Sequence, residues 1–239
     1  MARTHLFLGI SALLVSLSGA AAAQAPCTPR LLGFGNGGAV WEHRPLSKTK
    51  KDSHYKIVEE GGSAALHADA DGSASFDATI FKPAIPLVPV LSWRWRTTGP
   101  IPGADNRDKS KEDSPLRVIV AFDGDINTLP DSEKRRFRRA RTFLGKELPY
   151  AVLMYTWTDK LPTGSVIPSA HTSQVKMIAI APDTAGGWQS VSRNLAEDYK
   201  RAWGQEAGKL LGVAVMTDTD NTGAKASGDY SDLRFACAP

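Results

Sequence analysis

The chain has 239 residues, with 29 Lys and Arg against 25 Asp and Glu, a net charge of +4, and only two cysteines. So small an imbalance singles out no particular partner, and beyond residue 23 no run approaches the roughly 20 apolar residues that a membrane-spanning helix needs. Cys-x-x-Cys, Gly-x-Ser-x-Gly and His-Glu-x-x-His are all missing, which argues against thiol redox, esterase and zinc-protease chemistry.

Residues 1–23 read as a secretory signal: Arg3, an apolar run from Leu6 to Leu17, then small residues that allow cleavage after Ala23. Pro26 directly before Cys27 opposes lipid attachment. Residues 24–239 are therefore expected to form one exported domain, periplasmic or secreted, long enough for a substantial core. Cys27 and Cys237 stand at opposite ends of that mature chain. In an oxidising compartment they most simply pair with each other.

In chain order, period-two patterns dominate. A short strand begins around Val40, with Trp41 covering a core edge. Residues 55–58 and 64–68 form a hairpin across Glu59-Glu60-Gly61-Gly62, and residues 73–81 alternate again. His43 and His67 lack a second metal-ligating residue at a useful spacing and read as structural. The sharpest pattern is 90–97, where Leu91, Trp93 and Trp95 share the apolar face and Ser92, Arg94 and Arg96 the wetter one. Two neighbouring arginines on a sheet call for carboxylates or an anionic ligand. Residues 115–122 are apolar enough to be buried on both faces, with Glu112, Asp113 and Arg117 at the entrance. Residues 131–145 break the rhythm: Phe137, Ala140 and Leu144 recur at helical spacing, with Arg135, Arg136, Arg138, Arg139 and Arg141 around the polar arc. That arc is a solvated face or a contact for an anionic envelope polymer or lipid headgroups; without interleaved aromatics it does not suggest nucleic acid. Residues 150–157 and 175–181 are further strands, the first ending on Tyr155 and Trp157, aromatics of the kind that stack on sugar rings or pack in a core. Residues 192–204 form the second helix, capped by Asn194, braced by Glu197 and ended by Gly204, with Arg193 and Asp198 off its apolar stripe. The sum is an all-β-dominated chain, an antiparallel β-sandwich with two short helices.

Two final alternating runs, Leu211, Val213, Val215 and Leu233, Phe235, Cys237, read as strands that flank Asp218-Thr219-Asp220-Asn221-Thr222-Gly223, with Asp229 eleven residues after Asp218. That spacing imitates a calcium loop, in which oxygens at positions 1, 3, 5 and 12 ligate and a glycine at 6 makes the turn; Asp218, Asp220, Thr222 and Asp229 are then the metal candidates for Ca²⁺. Strands rather than helices flank it, so an Asx-rich hairpin turn is the competing interpretation.

Ser73-Ala74-Ser75, Leu91-Ser92-Trp93-Arg94-Trp95, 150–157, Arg193-Asn194 with Asp198-Tyr199, and Met216 through Gly223 together resemble the bacterial exported domain-of-unknown-function family 3047 from about Trp41 to Phe235. The chain departs from that pattern at Asp113-Ser114, where two adjacent acidic residues are expected. The resemblance implies a jelly-roll sandwich similar to carbohydrate-binding modules and no established activity. Three functions compete. One is glycan binding, with Arg94, Arg96, Asp113, Arg193, Asn194, Asp198, Asp220, Asn221 and Trp157 as ligand-binding candidates. The second is a polysaccharide-active hydrolase or lyase, with Asp198 and Asp220 as a carboxylate pair. The third is docking to an anionic surface through the arginine-rich helix.

Overall fold

The computed structural model describes residues 27–237 except 36, 145–146 and 184–186, and leaves aside the side chains of 143 and 144. The expected signal segment lies outside the described residues. The described residues form thirteen strands and two α-helices: β1 (Arg30–Leu31), β2 (Glu42–Pro45), β3 (His54–Glu60), β4 (Ser63–Asp71), β5 (Ala74–Ile85), β6 (Val90–Thr97), β7 (Ser114–Phe122), α1 (Asp131–Leu144), β8 (Ala151–Trp157), β9 (Val166–Pro168), β10 (Val175–Ile180), β11 (Gln189–Asn194), α2 (Leu195–Trp203), β12 (Leu210–Asp218) and β13 (Lys225–Ala236).

The strands form two sheets. One runs β11-β6-β13-β4-β3 with β1 added on β13, the other β2-β5-β12-β7-β8-β10-β9. From β4 to β7, and again from β11 to β13, successive strands change sheet, so each connection crosses the sandwich as in a jelly roll. Pairing is antiparallel except between β8 and β10, which run parallel and are joined by a long crossover that includes β9. The β3–β4 hairpin closes on Gly61 and Gly62, both at positive φ (59° and 81°), the conformation of a two-residue turn whose twist matches its strands.

The period-two faces become the core. Leu91, Trp93 and Trp95 of β6 are at most 1% exposed and share one buried cluster with Leu116, Val118, Val120 and Phe122 of β7 and Tyr155 of β8. Trp93 meets Trp95 edge-on at 5.3 Å between centroids and Tyr155 at 5.1 Å. Truncating one such ring to alanine typically costs about 3–5 kcal/mol. Gly228 lets the sheets approach: a Cβ there would stand 2.4 Å from Leu116 Cδ2.

Both helices form where the apolar spacing changes to helical. In α1, Phe137 and Ala140 are buried, and Glu133 fastens its first turn by accepting bonds from Thr172 Oγ1 and from the Ser173 backbone N–H at 3.1 Å. In α2, Asn194 Oδ1 accepts from the N–H groups of Ala196 and Glu197, and Gly204 ends the helix at φ 73°. Ser192 and Arg193 belong to β11 rather than to this helix, pairing with Ser92 and Leu91. As an edge strand, β11 buries few of its residues, so its sequence is too polar to read as a strand. Cys27 and Cys237 are disulfide-bonded, tying the segment before β1 to the end of β13.

Candidate functional site

Three groups of polar residues compete for a functional role. The first is the turn between β12 and β13. Gly223 takes φ 70° and donates its N–H to Thr219 O at 2.9 Å, while Thr219 bonds Ser73 through both its N–H and its hydroxyl. Asp113 arrives from the loop before β7 and locks the turn, accepting from Asn221 N (3.1 Å), Thr222 N (2.7 Å) and Thr222 Oγ1 (2.6 Å). Asp218 is buried and accepts from Ser114 N and from Arg117 Nε, both at 3.0 Å. Burial raises its carboxyl to about 6, with Arg117 pulling down and Asp113 pushing up. Asp220 pairs with Lys50. Oxygens of Asp113, Asp218 and Asp220 all lie within 4.8 Å of one another, a hard-oxygen set of the kind that suits a divalent cation.

The ladder expected from spacing is therefore rearranged. Asp229 does not join the cluster, because β13 begins at Lys225 and carries it roughly 13 Å along an extended chain. It accepts instead from Arg96 Nε and faces His67 Nδ1, each at 2.7 Å. Thr222 turns its hydroxyl to Asp113, and Asp113 takes the third carboxylate position.

The second group covers the outside of the first sheet. Arg94 reaches Asp232 at 3.2 Å, and Arg96 reaches Asp229 and Glu60. Trp188 lies against both guanidinium groups, 5.0 and 4.7 Å from its ring centre. The carboxylates that these arginines call for are thus the protein's own. Arg193 likewise grips Asp198 through two nitrogens, and Tyr155 donates to the same carboxylate at 3.0 Å. Burial and Asp198 hold the Tyr155 phenol well above its usual range. Asn194 is the cap of α2. Asp198 and Asp220, candidates for a catalytic pair, answer to different partners on different elements: Arg193 and Tyr155 for one, Lys50 for the other.

The third group lines a groove of about 350 Å³ where β6 and β8 end and β11 begins. Its walls include Arg96, Pro100, Trp157, Asp159, Asp183 and Gln189. Of the expected ligand residues it unites Arg96 with Trp157, which is 8% exposed and so offers only a margin of its ring. Gln189 is held by accepting from Trp95 Nε1 at 3.0 Å and donating to Ala181 O at 2.7 Å. A second depression, of about 310 Å³, shares Thr98 with the groove and is edged by Lys51, His54, Asp69, Asp71 and Lys225. Asp159 and Gln189 escaped the sequence reading. The nearest signal was the position of Asp159, two residues beyond the Tyr155 and Trp157 pair.

The family model described as protein of unknown function DUF3047 matches residues 39–234. Among solved structures the chain is similar to the family 11 carbohydrate-binding module from Clostridium thermocellum in complex with a β-1,3-1,4-mixed-linked tetrasaccharide, at 9% identity and TM-score 0.48, covering 90% of this chain and 98% of that one. It is also similar to the family 11 module of the cellulosomal cellulase Lic26A-Cel5E of Clostridium thermocellum (7%, 0.47, 90% and 97%). Trichoderma harzianum Endoglucanase 3 from family GH12 gives 10%, 0.43, 89% and 98%. At such values these likenesses carry no argument about ligands or catalysis. No curated protein matches the chain.

Proposed function

The chain belongs to the DUF3047 family of proteins of unknown function, and we propose that it is an exported carbohydrate-binding β-sandwich whose ligand lies in the groove at the ends of β6, β8 and β11. The observation that carries this reading is the convergence of Trp157 and Arg96 with Asp159 and Gln189 on one groove of about 350 Å³. An apolar aromatic margin beside a few fixed polar groups is the usual make-up of a small-ligand site, and it suits the mixed faces of a sugar. An ionic depression that shares Thr98 with the groove supports a ligand longer than one sugar unit. Isothermal titration with a panel of neutral and acidic oligosaccharides tests the reading. A charge-assisted hydrogen bond contributes about 1.5–3 kcal/mol, so Asp159→Ala should weaken binding roughly 10- to 100-fold with thermal melting unchanged. Trp157→Phe, which keeps the core filled, should weaken it less. Absence of glycan binding, or affinities untouched by both substitutions, would overturn the proposal.

We favour binding over hydrolysis by Asp198, because that carboxylate is committed to Arg193 and Tyr155. Release of reducing ends from a polysaccharide panel would reverse that preference. A second reading, Ca²⁺ held by Asp113, Asp218 and Asp220, rests on their oxygens lying within 4.8 Å. Arg117 and Lys50 already balance two of the three charges, so the cation would displace or join them. Melting with millimolar Ca²⁺ against a chelator tests it, since a ligand of the folded state raises the melting temperature. Identical melts would remove the cation.

A further inference from the structure

We infer that α1 is a docking surface for an anionic phospholipid membrane. The helix carries six basic side chains, Lys134, Arg135, Arg136, Arg138, Arg139 and Arg141, against Asp131 and Glu133, a net +4. That equals the net charge of the entire chain, so the remaining residues are neutral in sum. The positive charge of this protein is concentrated on one element.

The packing turns that charge outward. Phe137 and Ala140 are buried, and Glu133 is bound by Thr172 and Ser173, which fixes the roll of the helix. At about 100° per residue, Arg135, Arg138 and Arg139 then lie on the arc opposite the buried side, and all five arginines are exposed. Arg136 approaches Glu133 only at 4.0 Å, and Arg135, Arg138, Arg139 and Arg141 have no carboxylate partner among the described residues. By contrast, Arg94, Arg96, Arg107, Arg117 and Arg193 are each paired with a carboxylate, while Arg30 lies over Phe81 and Arg234 donates to Ser92. The exposed arginines also repel one another. Arg135 and Arg138, Arg136 and Arg139, and Arg138 and Arg141 are three apart, and Arg135 and Arg139 four apart, spacings at which like charges destabilise a helix. A merely solvated helix gains nothing from that arrangement, whereas an array of guanidinium forks matches a field of phosphates.

Among the described side chains the charged arc carries no aromatic, which fits the surface of a membrane better than the splayed bases of a nucleic acid. No helix among the described residues is long and apolar enough to cross a membrane, and the contact proposed for α1 is a peripheral one. It is independent of the groove, and its failure would leave the glycan reading standing.

The test is co-flotation of the exported, disulfide-bonded protein with vesicles of phosphatidylcholine alone or with about one third phosphatidylglycerol. We expect partitioning onto the anionic vesicles only, and its release as salt rises from about 0.15 M to about 1 M, where the Debye length falls from about 8 to about 3 Å. Arg135→Gln with Arg138→Gln and Arg139→Gln should lower the partition coefficient on the order of 100-fold at unchanged circular dichroism, since each basic side chain near such a surface contributes about a factor of 5. The corresponding triple Lys variant should retain most of it. Equal binding to both vesicle types, no binding to either, or a Gln variant that floats like the parent would overturn the inference. Retention on soluble polyphosphate without flotation would do so too.

Discussion

Replacing Arg117 with methionine should separate stability from pH in a way that only a buried ion pair explains. The guanidinium is 2% exposed; it donates from Nε to Asp218 at 3.0 Å and from a terminal nitrogen to Glu112 O at 2.6 Å, beside the sulfurs of Met154 and Met177. Methionine fills the space among those thioethers but leaves Asp218 buried, near Asp113 and Asp220, without its cation. Breaking one partner of a buried pair costs about 3–5 kcal/mol, which for a domain of this size is roughly 6–20 °C of melting temperature. The sign with pH follows from Asp218. Its folded carboxyl titrates at about 6 against the ordinary 3.8, so the folded state holds that proton more tightly than the unfolded chain does. Stability at this group is greatest below about pH 4, falls as pH rises towards 6 by on the order of 3 kcal/mol, and is level above it. Loss of Arg117 removes the main influence holding that titration down, so the variant's deficit should be largest near pH 7.5 and shrink towards pH 5. Calorimetric melting of both proteins at the two pH values measures it. A deficit that is small, or equal at both pH values, would refute the reasoning.

Substituting both Cys27 and Cys237 by serine opens a loop with a sequence separation of 210, and chain entropy alone then predicts a loss of about 5 kcal/mol, measurable by urea unfolding. Gly228→Ala should cost about 1–3 kcal/mol, because its Cβ would stand 2.4 Å from Leu116 Cδ2 where the two sheets meet; an unchanged melt would show that the sheets can yield there. Asn194→Ala should lower stability by about 1 kcal/mol through loss of the α2 cap and leave oligosaccharide affinity alone, whereas a selective loss of affinity would make Asn194 a ligand residue.

The strands and helices could be read locally because their signals are local. Leu91, Trp93 and Trp95 alternate with Arg94 and Arg96, and that alternation decides which face meets the core whatever the neighbouring strands are. The partners of Arg94 and Arg96 could not be read, since they depend on β13 lying beside β6 and bringing Asp229 and Asp232 across from more than 130 residues away. Which oxygens of the calcium-loop spacing meet could not be read for the same reason. That spacing treats residues 218–229 as one loop, whereas pairing of Lys225 through Tyr230 with β4 straightens the second half. The third carboxylate near Asp218 and Asp220 is that of Asp113, over 100 residues earlier. The groove could not be read whole, because the continuous run 95–100 is completed only by Trp157 and Asp159 at the end of β8 and by Asp183 and Gln189 near β11.

The most direct test of the groove is a two-dimensional NMR titration that follows the six tryptophan indole N–H signals as an oligosaccharide is added. Trp157 lines the groove, and Trp95 reports on it through its bond to Gln189, while Trp93 lies buried between the sheets. We expect Trp157 and Trp95 to shift with a common saturation curve and Trp93 to stay in place. Shifts at Trp41 or Trp203 alone, or none at any ring, would contradict a carbohydrate site at the ends of β6, β8 and β11.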